Sequence, residues 1–400
     1  MGLPLDGIVV VSVEQAVAVP FASRHLADLG AEVIKIERPD TGDFARDYDD
    51  VVAGLSAHFV WLNRTKKSVA LDLKSADGRQ VLNRLLDRCD VFLQNLAPGA
   101  MERLGFGAQA VRATRPGLIT GDLSGFGDGG PDSDRRAYDL LIQSEAGLLD
   151  VTGSPDGAAK VGIPIADIAA GMYLFSAVLT ALYERSRTGH GRELRLSMLE
   201  SLGEWMGFPF YYGRYAGAAP RRSGASHASI APYGPVRLGD GESRVIAVQN
   251  NREWARFAEI VLGDAALATD ERFATNPARM AHRDELIGLI ETRFGQLTSE
   301  AAVRLLNQAQ IAHAQQSPPQ RLADHPQLIA RDRVRQIDSE AGPLVALESP
   351  TGAGAWPTRM GRVPALGQDT DEVIAWLGFA PEDPTGSLMK SLAALRSTRR

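Results

Sequence analysis

The sequence predicts an α/β protein: a doubly wound, largely parallel, Rossmann-like large domain interrupted by a smaller α+β domain. Three observations predict it. Strand-like and helix-like segments alternate through the first third of the chain, the pattern of a parallel sheet with crossover helices. From SRVIAVQ, at residue 243, onward helical patterns dominate instead. The chain has 400 residues, and at roughly 150 residues per domain that length calls for two or three domains. On this reading residues 1–200 form the large domain, 225–325 the small one, and 340–400 return to the first.

The elements follow in order. GIVVVSV is an apolar run of the kind a strand buried on both faces shows, and ASRHLADLG is a helix closed by Gly30. EVIKIE, SVALDL, VFLQNL and GLITGDL continue the strand series. Between them, residues 77–89 place Val81, Leu82, Leu85, Leu86 and Cys89 on one helical face. A long helix is expected over 168–185, ending in the basic, glycine-bearing RSRTGHGR, and ELRLSML reads as a strand or a strand–helix junction. Residues 213–229, rich in Gly, Ala, Arg and Ser, read as a long loop. The small domain then holds the helical segments NREWARFAEIVL, HRDELIGLIETRF and SEAAVRLLNQAQ. QQSPPQ turns the chain, residues 342–357 carry it back, and DEVIAWLGF and SLMKSLAAL are the last helices before a frayed RSTRR.

Composition excludes several classes. With 43 Lys+Arg against 49 Asp+Glu the formal charge is −6, unlike the basic domains that bind nucleic acid. The single Cys89 leaves no disulfide framework and no Cys-rich zinc site, suits a cytoplasmic protein, and reads as a buried structural thiol. The N-terminal apolar run lacks a basic flank, so no signal peptide is expected. The apolar stretch 168–183 is shorter than the ~20 residues that span a bilayer, so a buried core helix is expected and no membrane partner. The seven His residues show no paired metal spacing.

The opening strand–helix–strand unit resembles a dinucleotide site, but its first loop, EQAVAVP, has none of the glycines that let backbone approach a pyrophosphate. Neither NAD nor FAD is therefore expected. GFGDGG at 125–130 matches G-x-G-x-x-G literally, but Pro131 and a polar run follow it, so a glycine loop is the plainer reading.

Asp167, directly before the long apolar helix, is the residue that stands out. An aspartate there can be simply an N-cap. The same place can also hold a carboxylate ionised, through the helix dipole, as a nucleophile toward an activated acyl group. Arg38, Lys66, Lys67, Lys74, Arg103 and Arg136 follow strand signals or lie in loops. There they either face solvent or present positive charge to a polyphosphate outside the carboxyl ends of the strands.

The segments PLDGIVVVSVEQAVAVPFASRHLADLGAEVIKIERPDTGD, LNRTKKSVALDLK, QNLAPGAMERLG, RRAYDLLIQSEAG and IPIADIAAGMYLFSAVLTALYERSRTGHG resemble successive motifs of the family III CoA-transferases. The likeness is densest over residues 4–200. It implies that Asp167 is the nucleophile and that coenzyme A enters as an acyl-CoA substrate. It further implies that Gln15 and Ala16 lie near the thioester, that Arg38 contacts the nucleotide phosphates, and that Leu71, Lys74, Asn95, Leu96 and Arg103 line the CoA site. Arg136 stands where formyl-CoA transferase has lysine. The resemblance also implies an interlocked homodimer.

Two departures bear on the reaction. Racemases of the family carry His before the Asp of the motif that reads Tyr138–Asp139 here, and without it two-base proton exchange loses a partner. The glycine-rich loop of formyl-CoA transferase has no clear counterpart; the region reads RRSGASHASIAPYGPV. HFVWLNRTKKS, RRAYDLLIQSEAG and SIAPYG look most like the branch acting on small dicarboxylates. The expectation is succinyl-CoA-dependent transfer to an acid such as itaconate, mesaconate, malate or citramalate, with Arg46, Arg222 and His227 as candidates for the second carboxylate. A 2-methylacyl-CoA racemase, a formyl-CoA-type transferase and a CoA-binding regulator without turnover are the rival readings.

Overall fold

The computed structural model describes residues 2–379. The helix expected over SLMKSLAAL and the tail RSTRR lie outside the described residues. The chain divides into two compact units: residues up to 147, 161–207 and from 326 onward, and residues 148–160 with 208–325.

The first unit is built on six strands, β1 (Val9–Val13), β2 (Glu32–Glu37), β3 (Lys67–Ala70), β4 (Val91–Gln94), β5 (Ile119–Ser124) and β6 (Glu193–Ser197). They run parallel in the order β3-β2-β1-β4-β5-β6. The order reverses between β1 and β4, and the crevice outside their carboxyl ends is where such sheets bind ligands. Helix α1 (Ala18–Asp28) connects β1 to β2, α2 (Ala57–Asn63) precedes β3, and α3 (Ala76–Leu86) connects β3 to β4. The predicted apolar face of α3 (Val81, Leu82, Leu85 and Leu86) packs with Val11, Ile34, Val69 and Phe92 of the sheet. Cys89 packs at the margin of this core, and burial pushes its thiol up to about 12, as a structural thiol requires.

A one-turn helix, α4 (Ala100–Arg103), follows β4, and α5 (Asp139–Glu145) lies beyond β5. The Gly125–Gly130 segment between β5 and α5 is a loop with no helix immediately behind it. The long helix, α6, runs Ile165–Thr188, three residues longer than expected at each end. Its first residue is thus Ile165, its N-cap is Pro164, and Asp167 sits inside the first turn without capping it. At 24 residues it reaches the length and apolarity of a membrane span. Its inner stripe (Ala166, Ala169, Ala170, Gly171, Leu174, Phe175, Val178 and Ala181) is nonetheless buried, which is the behaviour of a core helix. Gly171 allows the close approach to α1, because a Cβ there would stand 2.6 Å from the Ala18 carbonyl oxygen. ELRLSML proves to be a junction. Ser197, last in β6, accepts a hydrogen bond from the Glu200 amide and starts α7 (Met198–Trp205).

The second unit starts at Phe208 rather than 225 and also takes in 148–160, an excursion the sequence did not signal. Much of its early part is α8 (Gly207–Ala216), so the loop expected from 213 starts only after this helix. The spaced aromatics of FPFYYGRY outweigh Gly213. Strands β7 (Tyr233–Arg237), β8 (Ser243–Ala247) and β9 (Ala312–Gln315) form an antiparallel sheet. Its core gathers Trp254, Phe257, Phe273 and Phe294, the last on α9 (Arg283–Phe294), with Ala302 and Leu306 of α10 (Ser299–Gln308).

The returning chain forms a hairpin of β10 (Val334–Ile337) and β11 (Leu344–Leu347), then α11 (Thr370–Trp376). Side chains at the start of α11 cover the open edge of β3. The Ser68 amide donates to Asp369 Oδ2 (2.9 Å) and the Ala70 amide to Thr370 Oγ1 (3.0 Å).

Candidate active site

At the end of β1 the chain passes through Glu14, Gln15 and Ala16 before α1 begins. Ala16 has φ +61°, a left-handed conformation that a residue with a Cβ adopts only when held there. Two side chains hold it. Asp43 Oδ1 accepts from the Ala16 amide (3.0 Å). Asn95, beyond β4, accepts from the Gln15 amide and donates to the Gln15 carbonyl, both at 2.9 Å.

A buried ionic network lies beneath this turn. Lys66 Nζ donates to Glu14 Oε1 (2.6 Å), Lys35 Nζ to Asp43 Oδ2 (2.6 Å), and both lysines donate to Asn63 Oδ1. Burial opposes charge on Glu14, yet Lys66 and Lys35 win and hold its carboxyl below the usual range. Burial pulls Lys66 down to about 8 against the pull of Glu14, so it stays protonated at neutral pH. The neighbouring Glu37 is held by a two-pronged bond from Arg46, with Nε–Oε2 and Nη2–Oε1 both 2.8 Å.

A cleft of about 640 Å³ opens over this turn. Gln15, Arg38, Leu71, Lys74, Leu96 and Arg103 all line it, with Ile36, Gly42 and Leu104. Six residues singled out from separate stretches of sequence thus meet at the carboxyl ends of neighbouring strands. Arg38, Lys74 and Arg103 are exposed at its rim, placed to meet a polyanion, while Leu71 and Leu96 supply an apolar floor.

Asp167 adjoins the other side of the same turn, since Ala16 packs in one apolar cluster with Ile168 and Met172 of α6. Asp167 is half-buried, and burial, then the Asp139 carboxylate, raise it to about 7. The dipole argument predicted a carboxylate held ionised; desolvation and a like charge override it. Near neutrality the group is divided between its two forms, more basic than an ordinary carboxylate and the stronger nucleophile for that. The phenol of Tyr48, on the segment after β2, is raised to about 12 by burial and then by the charges of Asp43 and Asp167.

Other expected residues have different surroundings. Lys66 is buried in the ionic network, and Lys67 pairs at the surface with Glu32 and Glu372, so neither lines the cleft. Arg46 is committed to Glu37 and stacks over Phe59 at 3.7 Å, which removes it as a partner for a substrate carboxylate. Arg136 is exposed on the loop before α5 and does not line the cleft. Arg222 and His227 belong to the second unit, where Arg222 donates to the Ser154 carbonyl and His227 stacks on Tyr233.

Asp43, Tyr48, Asp139 and Gln143 were missed. Asp43 and Asp139 both stand inside segments that carried the family likeness, which was the available signal. Among the described residues no group of three or more His, Cys, Asp and Glu side chains could hold a metal ion.

Comparison with known proteins accords with this geometry. A succinate–glutarate CoA-transferase of Agrobacterium fabrum is 31% identical, covering 94% of this chain and 96% of its own. A succinyl-CoA–D-citramalate CoA-transferase of Chloroflexus aurantiacus is 30% identical, over 95% and 96%. The crystal structure of a CAIB/BAIF family protein from Brucella suis superposes with a TM-score of 0.84 at 32% identity, covering 94% of this chain and all of that one. The sequence profile of CoA-transferase family III matches residues 5–370, and the chain belongs to that family of enzymes.

Proposed function

We propose that this CoA-transferase moves CoA from succinyl-CoA to a small dicarboxylic acid, such as itaconate, mesaconate, malate or citramalate, through a thioester on Asp167. The observation that carries the reading is the joining of the cationic cleft to Asp167 through the Gln15–Ala16 turn. The relatives named for glutarate and for citramalate support a dicarboxylate acceptor.

The steps balance on one carboxylate. Asp167 attacks the donor thioester carbonyl, the C–S bond breaks, and a mixed anhydride and CoA thiolate form. The thiolate attacks the aspartyl carbonyl, releasing succinate and leaving aspartyl-CoA. The acceptor carboxylate attacks that thioester to form a second anhydride, and the thiolate then attacks the acceptor carbonyl, freeing Asp167. Arg38, Lys74 and Arg103 hold the phosphates of CoA so that the thiolate stays in place between steps. A cytoplasmic homodimer completes the reading, in keeping with the large aromatic side chains exposed along α8.

The test is a screen of purified protein with succinyl-CoA and the four acids, with formate, oxalate and glutarate alongside. Transfer to one of the four, trapping of an aspartyl adduct by hydroxylamine, and loss of at least ~1,000-fold in Asp167→Ala are expected. Activity confined to formate, deuterium exchange at C2 of a 2-methylacyl-CoA without transfer, or full transfer by Asp167→Ala would each overturn it.

A further inference from the structure

Helix α6 is started by a side chain from another helix. Its N-cap is Pro164, which has no side-chain acceptor to offer the free amides of the first turn. Asp139, first residue of α5, serves instead: its Oδ1 accepts from the Ala166 amide at 2.8 Å. Its Oδ2 accepts from Gln143 Nε2 at 2.6 Å, one turn along α5. Gln143 is fully buried, and its Oε1 accepts from the Val161 amide at 3.0 Å. Both ends of the segment leading into the nucleophile's helix are therefore tied to α5.

The same carboxylate that caps α6 bears on Asp167, one residue beyond the amide it holds, and shifts its ionisation upward. A neutral cap such as Ser would satisfy the amide equally well. A charged one adds a repulsion that exists only while Asp167 is a free carboxylate. Acylated or thioesterified Asp167 is uncharged, and the repulsion vanishes.

We propose that Asp139, braced by Gln143, is a positioning residue of the transfer reaction. It caps the nucleophile's helix and sets a fixed negative charge beside Asp167 that favours its covalently modified forms over the free carboxylate. This rests on the reading of Asp167 as nucleophile. No step beyond those already described is added. The anhydride and the thioester become more populated, because conversion of Asp167 to either removes one of two like charges. Among the described residues, the Tyr48 phenol also feels the charge of Asp167, together with those of Asp43 and Tyr138.

Asp139→Asn tests it, because asparagine keeps an oxygen for the Ala166 amide while losing the charge and, with it, the acceptor for Gln143. The acid limb of the pH–rate profile is expected to move down by about one unit. The fraction of enzyme trapped by hydroxylamine as the aspartyl adduct, at saturating acyl-CoA and pH 8, is expected to fall about tenfold. An unchanged acid limb and unchanged trapping in folded Asp139→Asn would overturn the proposal. Should that variant not fold, Asp139→Ser decides, since it too offers the Ala166 amide an acceptor without a charge: an acid limb lowered by about one unit supports the proposal, and an unchanged one overturns it. Failure of the nucleophile reading is recognised separately, by full transfer in Asp167→Ala or by an adduct mapped to another residue.

Discussion

Asp167 is subject to two opposing influences. The free amides of a helix's first turn favour an ionised carboxylate, whereas burial and Asp139 favour a proton, and the second pair prevails to about pH 7. This has a sign for stability. An unfolded chain releases this proton near its ordinary pKa of 3.8, and the folded chain only near 7. Between those values the folded state binds more protons, so stability falls as pH rises, and the full cost stands above pH 7. Asp167→Asn keeps the shape and removes the cost. It is expected to be more stable than the parent by about 1–3 kcal/mol at pH 8, a figure discounted for partial exposure. The gap should close as pH is lowered toward 4, measured by urea unfolding at each pH. A variant whose advantage over the parent is no larger at pH 8 than at pH 4 would show that the site stores no such strain. The aspartate was legible in the sequence because it precedes a long apolar run inside a family motif. Its protonation was not, because what shifts it, burial first and then Asp139 on another helix, arises only in the folded chain.

The segment between β2 and α2 shows the same limit for an element. Its cleft-lining half, Arg38 to Gly42, is anchored by Glu37 at the end of β2. Burial would raise the Glu37 carboxyl, but Arg46, Lys35 and Ser68 hold it down at about 2. A carboxyl depressed in this way stabilises the fold above its ordinary pKa, and the contribution is lost as pH falls through about 2. Arg46→Met should leave Glu37 buried without its strongest partner and cost about 3–5 kcal/mol in urea unfolding at pH 7. Its acid transition should move to higher pH, and KM for acyl-CoA should rise more than kcat falls, because the cleft wall loosens while Asp167 stays on α6. A loss of kcat with KM unchanged would place Arg46 in the chemistry instead. Periodicity made the strands legible, whereas Arg38, Lys74 and Arg103 were singled out from the other cations by the family resemblance. Lys66 and Arg46 misled because a lone cation in sequence reads as solvated or ligand-facing. The carboxylate that buries Lys66 is 52 residues away.

At the scale of the molecule, the described chain leaves much apolar surface uncovered. On α8, Phe208, Phe210, Tyr211, Tyr212 and Tyr215 are all exposed, Tyr215 to 81%, with Trp205 just before them and Tyr173 and Tyr183 on the outer face of α6. Each such ring removes roughly 150–250 Å² from water when covered, and a monomeric soluble protein rarely leaves so many large rings exposed on one helix as α8 does. Composition conceals this, because aromatic content is only 6% and the patch arises from its concentration in one helix. A second copy of the chain is the occupant that the family resemblance implies. Sedimentation equilibrium at micromolar concentration should therefore give twice the chain mass of 43.0 kDa. Replacing Phe210, Tyr211 and Tyr215 together by Ser removes three of the rings exposed on α8 and leaves both hydrophobic cores intact, since none of the three belongs to either. The triple variant should stay folded by circular dichroism while its mass falls toward that of one chain. A parent that sediments as a monomer would end the dimer reading, and a triple variant that remains fully dimeric would move the interface away from α8.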